Sequence, residues 1–157
     1  MADSDRKVVA TNRRARFEYE ILDRFEAGLV LLGPEVKSLR AGKANLTDAY
    51  AFVRRGEMWL SGMHISPYAQ AARANPDPTR ERKLLLHKRE IDRLAGQINE
   101  KGFTLVPLQI YFKDGRAKVE IGLARGKRMH DKRESIKARE SDRELARMKR
   151  RGGRYKE

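Results

Sequence analysis

The sequence predicts a mainly β domain: a closed antiparallel barrel of about six strands with two to three helices, followed by a basic C-terminal tail. Three observations carry this. Apolar and polar residues alternate in several short runs, which is the period of a half-buried strand. Short turn signals join most of these runs, so neighbouring strands are antiparallel. Charge is also unevenly spread. The 157 residues carry a formal charge of +14. Residues 1–124 hold 22 Lys+Arg against 16 Asp+Glu, a net of +6, while residues 125–157 hold 14 against 6, a net of +8. More than half of the net charge therefore lies beyond a boundary near Arg125.

The elements follow in order. Residues 1–15 are polar and basic and read as a flexible arm. The barrel is expected over 16–125 and the tail over 126–157. From Arg16, Phe17, Tyr19 and Ile21 alternate with Glu18 and Glu20, a strand pattern. Ala27-Gly28 reads as a turn into a second short strand, LVLL (29–32). Gly33-Pro34 punctuates the chain. Pro34 suits the first position of a helix and Gly42 the position just past its end. The helix between them, PEVKSLRA, turns Val36 and Leu39 inward and Lys37 and Arg40 outward.

DAYAFVRRGEMWLSGMHI (48–65) reads as a hairpin around Arg55-Gly56. Residues 69–83 contain two prolines and read as a surface loop. In KREIDRLAGQINEKG (88–102), Ile91, Leu94, Ala95 and Ile98 share one helix face, and Gly102 is the stop. TLVPLQIYFKDGRAKVEIGLA (104–124) is a hairpin with the favoured two-residue turn Asp114-Gly115. Beyond it Val119, Ile121 and Leu123 alternate with Lys118, Glu120 and Gly122. There is no internal repeat. An OB-like barrel would bury all these faces and remove exposed edges. An open α+β sheet is the alternative.

The composition narrows the chemistry. There is no cysteine, so disulfide and thiolate chemistry are excluded. The N-terminal run MADSDRKVVATNRRARF lacks the apolar region of a signal peptide. The aliphatic runs are far too short for a membrane span. A cytoplasmic protein without membrane attachment is expected. His64, His87 and His130 are scattered, without metal-ligand spacing. Gly42-Lys43 lacks the upstream glycine and following Ser/Thr of a phosphate loop. No G-x-S-x-G elbow is present, and the Asn45-Leu46-Thr47 sequon reads as chance. The chain is therefore expected to be neither an enzyme nor a cofactor carrier.

Binding is what the sequence offers. A net charge of +14 draws polyanions by counterion release. Nucleic acid, an anionic membrane surface and an acidic protein are the partner classes. Arg13, Arg14, Arg16, Lys37, Arg40, Lys43, Arg80, Arg82 and Lys83 recur beside the expected elements and are placed to grip phosphate. Tyr50, Phe52 and Trp59 have two readings, packing within the barrel or stacking on a base. In the tail, Arg139, Arg143, Arg147 and Arg151 are spaced four apart, one basic stripe on a helix. Glu140 and Glu144 precede two of them by three residues and add weak helical support. Ile136, Leu145 and Met148 make no continuous apolar face. Such a segment is expected to be disordered when free and helical along a polyanion. A purely solubilising tail is the other reading.

Four stretches carry a resemblance: NRRARFEYEI (12–21), FEAGLVLLGPEVKSLRAGKANLTDAY (25–50), DPTRERKLLLHKREI (77–91) and GLARGKRMHDKRESIKARE (122–140). EVKSLRAGK, RKLLL and GK-R-x-HDKR within them are long, unusual strings. The chain resembles the SsrA-binding (small protein B) family of bacterial trans-translation over most of its length. It departs from the family pattern in its last ten or so residues and at His87, where a polar cap is expected. The resemblance implies a six-stranded OB-like barrel with a basic tail. It implies a non-enzymatic adaptor that binds transfer-messenger RNA at its tRNA-like domain and travels with EF-Tu·GTP to stalled ribosomes, as a monomer. It implies an RNA surface of Asn12, Glu26, Lys83 and Leu85, with Arg13 and Lys37 on phosphate. It further implies that Gly126, Lys127, Arg128 and His130 meet the decoding centre. Asp131, Lys132, Arg133, Lys137, Arg139, Arg143 and Arg147 would line the empty mRNA channel. A general RNA-binding chaperone and an RNA-processing enzyme are the competing classes.

Overall fold

A computed structural model of the chain describes residues 6–126, together with 143–145 and 147. The chain divides into two compact units, Met1–Arg125 and Gly126–Glu157. In order, the elements are β1 (Arg6–Thr11), α1 (Arg13–Glu18), β2 (Tyr19–Leu29), α2 (Gly33–Arg40), β3 (Ala44–Asn45), β4 (Tyr50–Arg54), β5 (Glu57–Ser61), β6 (His64–Ile65), a 3-10 turn (Ala69–Ala74), β7 (Arg82–Leu85), α3 (Lys88–Lys101), β8 (Thr104–Lys113) and β9 (Arg116–Gly126).

Seven strands make one sheet in the order β1-β8-β4-β5-β7-β2-β9, and β8 also pairs with β9. Six strands thus form a closed run of neighbours, from β8 through β4, β5, β7, β2 and β9 back to β8. The long strand β8 serves β1 and β4 along one edge and β9 along the other. The short pair β3–β6 stands apart as a second sheet. Both predicted hairpins form. Their turn residues all have positive φ: Arg55 53° and Gly56 74°, Asp114 52° and Gly115 76°. Two consecutive left-handed residues are what a two-residue hairpin loop requires. The inner face is aliphatic, with Met58, Leu60, Leu84, Leu105, Ile110, Val119 and Ile121 fully buried. Helix α3 adds Ile91 and Leu94 and stops at Gly102, whose φ is 66°. Pro107 cannot donate to the ladder, and the register with β9 shifts between Pro107 and Gln109.

Four expectations are corrected. Residues 6–11, assigned to a flexible arm, form β1 against β8, from Arg6↔Lys113 to Thr11↔Gln109. Val9 and Ala10 pack on the core there, and Arg6 Nη1 reaches Glu120 at 3.3 Å. Residues 13–18 form α1 and not a strand. Asn12 caps it, its Oδ1 accepting from Ala15 N–H at 3.2 Å. Ala27-Gly28 is no turn, because β2 runs on to Leu29. Gly28 lies opposite Leu85 on β7, where an added Cβ would meet Leu85 Cβ at 3.2 Å. The glycine serves close strand approach. The surface loop ends early, since Arg82 and Lys83 belong to β7.

Arg82 was expected on a phosphate-gripping surface, yet it is fully buried. Its Nε donates to Glu35 Oε2 at 2.6 Å, and its Nη groups donate to the carbonyls of Met63 (2.8 Å), Pro78 (3.0 Å) and Arg80 (3.2 Å). Arg80 Nε donates to both Glu35 oxygens at 3.1 Å. Glu35 Oε1 also accepts from Leu32 N–H at 2.9 Å, closing the first turn of α2. A buried guanidinium needs this full set of acceptors. Burial disfavours the Glu35 carboxylate, but the bonds from Arg80, Leu32 and Arg82 outweigh it and hold the carboxyl below its usual range. Burial likewise pulls Arg82 below its ordinary value, against the opposing pull of Glu35.

Removing one partner leaves the other charge buried and unpaired. Glu35→Gln or Arg82→Met should each lower unfolding free energy by about 3–5 kcal/mol, and urea denaturation reads this directly. The pair should couple in a double-mutant cycle. Glu35 has a depressed folded pKa, so its contribution is present above the ordinary glutamate range and is lost as pH falls through the folded value. Glu35→Gln should remove that part of the acid sensitivity.

Candidate nucleic-acid interface

The site grows from the pairing of β2 with β7. Gly28↔Leu85 and Leu29↔Leu84 are partners, and paired residues share a face. Leu29 and Leu84 point into the core. Gly28 and Leu85 therefore lie on the outer face, as do Glu26 and Lys83, two residues along their strands. Leu85 is 54% exposed, a large apolar side chain held in water. It lines a groove of about 400 Å³ with Glu26, Gly28, Leu86, His87, Glu90 and Lys118. An adjoining groove of about 300 Å³ shares Gly28, Leu85 and Lys118 and adds Val36, Phe112 and Arg116.

Glu26 is fixed from the side, by residues of β8 across the neighbouring β9. The hydroxyl of Tyr111, whose ring is fully buried, donates to its carboxylate. Lys113 Nζ lies 3.6 Å away and Arg6 Nη2 3.9 Å. The Arg6 guanidinium also stacks over the Tyr111 ring at 3.9 Å. Burial opposes ionisation of Glu26, but the Tyr111 bond and the nearby Lys113 and Lys118 outweigh it, so its carboxyl sits below the usual range. Burial pushes the Tyr111 hydroxyl up, and Glu26 adds to this. Tyr111 thus stays a donor, and Glu26 stays an anchored anion. Such a carboxylate accepts hydrogen bonds from a base edge or a 2′-hydroxyl, which no cation can do. Lys118 lines the same groove, and Arg116, two residues before it on β9, lines the adjoining one.

The structure brings Glu26, Lys83 and Leu85 onto one face. Lys83 Nζ rests 3.4 Å from Glu57 in an exposed pair. Lys37 is exposed on α2, its Nζ 5.3 Å from the Tyr68 ring centre, and it lines neither groove. Arg13 is exposed at the start of α1 and also lies outside both. Asn12, at the start of α1, lies outside both grooves. It is 5% exposed, and its Nδ2 donates to Pro107 O at 2.9 Å and Leu46 O at 3.3 Å. With both ends of its amide engaged, Asn12 positions Arg13 and α1. Two more residues from the basic set are engaged: Arg80 by Glu35, and Arg14 by Glu18 at 2.7 Å.

Gly126 is the exposed last residue of β9. Lys127, Arg128, His130, Asp131, Lys132, Arg133, Lys137 and Arg139 lie outside the described residues. Arg143 and Arg147 are helical and exposed. Sequence reasoning missed Lys118, Arg116 and Tyr111. Alternation after Asp114-Gly115 marked Lys118 as outward, but nothing local shows that β9 lies beside β2. Among the described residues, no cluster of His, Asp and Glu could hold a metal ion, and no helix is long and apolar enough to cross a membrane.

A basic, mainly β protein with an anchored carboxylate, an exposed leucine and lysines on one outer face presents the surface chemistry of the RNA-binding class. The family model described as SmpB protein matches residues 9–151. The SsrA-binding protein of Desulforudis audaxviator (strain MP104C) is 60% identical over 147 residues, covering 94% of this chain and 96% of its own. That of Thermosynechococcus vestitus (strain NIES-2133 / IAM M-273 / BP-1) is 58% identical, covering 90% and 93%. A solved chain described as "tmRNA-SmpB: a journey to the center of the bacterial ribosome" superposes with TM-score 0.65 at 53% identity, covering 81% of this chain and 93% of that one. The chain belongs to the SmpB protein family.

Lys118 offers a direct check. Lys118→Ala should weaken binding of a tRNA-like RNA and lower the salt-dependence slope of log K by about one. A salt titration of binding measures both, and an unchanged slope would remove Lys118 from the interface.

Proposed function

We propose that this chain is a non-enzymatic adaptor of trans-translation, which binds transfer-messenger RNA at its tRNA-like domain and delivers it to stalled ribosomes. One observation carries the reading: the register of β2 with β7 places Glu26, Lys83 and Leu85 on one face, with Lys118 beside them, in a chain 60% identical to an SsrA-binding protein. The closed run of six strand neighbours supports an OB-like barrel as the scaffold. Glu26 and Leu85 meet unstacked bases of the RNA, while Lys83, Lys118, Arg13 and Lys37 meet its phosphates. The chain works as a monomer in the cytoplasm, in a delivery complex with EF-Tu·GTP.

The second half of the proposal concerns the region beyond Gly126. Gly126, Lys127, Arg128 and His130 meet the decoding centre, with His130 suited to stack on an exposed rRNA base. Asp131, Lys132, Arg133, Lys137, Arg139, Arg143 and Arg147 follow the mRNA channel when it is empty. The i, i+4 arginine spacing supports this, because one helical stripe matches a phosphate-lined groove. Helical, exposed Arg143 and Arg147 agree with that spacing.

The two roles are separable by experiment. A stop codon at Asp131 should leave affinity for the tRNA-like RNA nearly intact and abolish peptide tagging in a reconstituted translation assay. Loss of RNA affinity on truncation would defeat the two-module reading.

A further inference from the structure

The face that carries Leu85 does not end at β7. Val30 N–H donates to Lys83 O at 3.1 Å, Lys83 lies opposite Trp59 on β5, and Trp59 lies opposite Phe52 on β4. Val30, Lys83, Trp59 and Phe52 therefore form one row across four chain segments, all facing outward. Tyr50 follows Phe52 on the same face of β4, with ring centres 5.9 Å apart, and is 50% exposed. Three aromatic side chains thus gather outside the core, although such rings usually serve packing.

An arginine lies over two of them. The Arg54 guanidinium lies 5.0 Å from the Trp59 ring centre and 5.4 Å from that of Phe52. Its far end pairs with Glu81 at 2.8 Å, both side chains being about half exposed. A guanidinium is planar and stacks as a nucleobase does. An exposed ion pair of this kind is weak, so Arg54 is readily displaced. Once displaced, it stands beside the rings with its charge free for a phosphate.

We propose that the outer face of β7, β5 and β4 is a second RNA surface, which takes unpaired bases of single-stranded RNA on Trp59, Phe52 and Tyr50 while Arg54 turns from Glu81 to the phosphate backbone. Aromatic rings interleaved with cations are how single strands are held without sequence preference. The surface extends the Leu85 groove along the same sheet face, and so rests on the reading of that groove as an RNA site. It would accept a single-stranded segment adjoining the folded RNA bound there.

Trp59 is the sole tryptophan of the chain, so its fluorescence reports on this face alone. The full chain is titrated with an oligouridylate of about eight nucleotides and, separately, with inorganic polyphosphate of matched charge. Stacking predicts that the oligouridylate quenches Trp59 and that polyphosphate binds without quenching. Trp59→Leu should weaken oligouridylate binding about tenfold, and Trp59→Phe, which keeps a ring, should stay within about threefold. Circular dichroism confirms that both variants fold. Equal quenching by polyphosphate, or parental affinity in Trp59→Leu, overturns the proposal. Glu26→Gln separates the two sites. It should weaken a tRNA-like RNA and leave oligouridylate quenching unchanged. An unaltered affinity for the tRNA-like RNA would count against the groove and not against the aromatic face.

Discussion

The carboxylate of Glu35 is the point from which the elements of the candidate site are positioned. It closes the first turn of α2 through Leu32 N–H and receives Arg82 from the first residue of β7 and Arg80 from the loop before it. Two segments, 45 to 47 residues apart in sequence, thus meet at one buried charge. Arg82 passes the constraint on to the carbonyls of Met63 and Pro78. Without an anion at Glu35, the guanidinium would bring unpaired charge into a fully buried site. The consequence reaches the surface, because Lys83 and Leu85 follow Arg82 on the same short strand. Their outward direction is set by Arg82 pointing in.

A second constraint works on the outer face of the sheet, across β9. Tyr111 on β8 is buried, yet its hydroxyl must find a partner. It finds Glu26 on β2, and the bond fixes a carboxylate at the rim of the groove. Arg6, from β1, stacks over the same ring. The need of a buried hydroxyl for a partner therefore determines the position of a surface anion. Gly28 completes the arrangement by letting β7 approach closely enough for Leu85 to sit beside Glu26.

Much of this was legible in the sequence, for local reasons. Asp114-Gly115 and Arg55-Gly56 name their hairpins because consecutive positive φ values restrict residue choice. The i, i+3, i+4 spacing of Ile91, Leu94, Ala95 and Ile98 names α3. Pairings between distant segments were not legible. Val8-Val9-Ala10 is too short and too flanked by charge to announce β1, which exists because β8 has an edge to fill. Phe17, Tyr19 and Ile21 alternate across a helix–strand junction, so period alone placed the strand too early. Arg82 looked like its neighbours Arg80 and Lys83, because burial of one cation among several depends on an acceptor 47 residues away. At the candidate site, Glu26 and Leu85 came from the resemblance, and Lys83 from both the resemblance and the basic set. Lys118 and Tyr111 needed the sheet register.

The division of charge explains how a protein this basic can still be selective. Counterion release rewards any polyanion and says nothing about its sequence or shape. More than half of the excess charge lies from Arg125 onward, whereas several arginines of the β-rich unit are paired with carboxylates: Arg14 with Glu18, and Arg80 and Arg82 with Glu35. Pairing lowers the indiscriminate attraction of that unit. What it presents instead is fixed chemistry, with an acceptor at Glu26, an apolar contact at Leu85 and aromatic rings at Tyr50, Phe52 and Trp59. Fixed acceptors and faces discriminate because a wrong partner leaves them unsatisfied. A carboxylate in a cationic groove repels phosphate, so it is tolerated only where the ligand offers a donor at that spot. On the proposed reading, Glu26 therefore filters what the basic surface attracts.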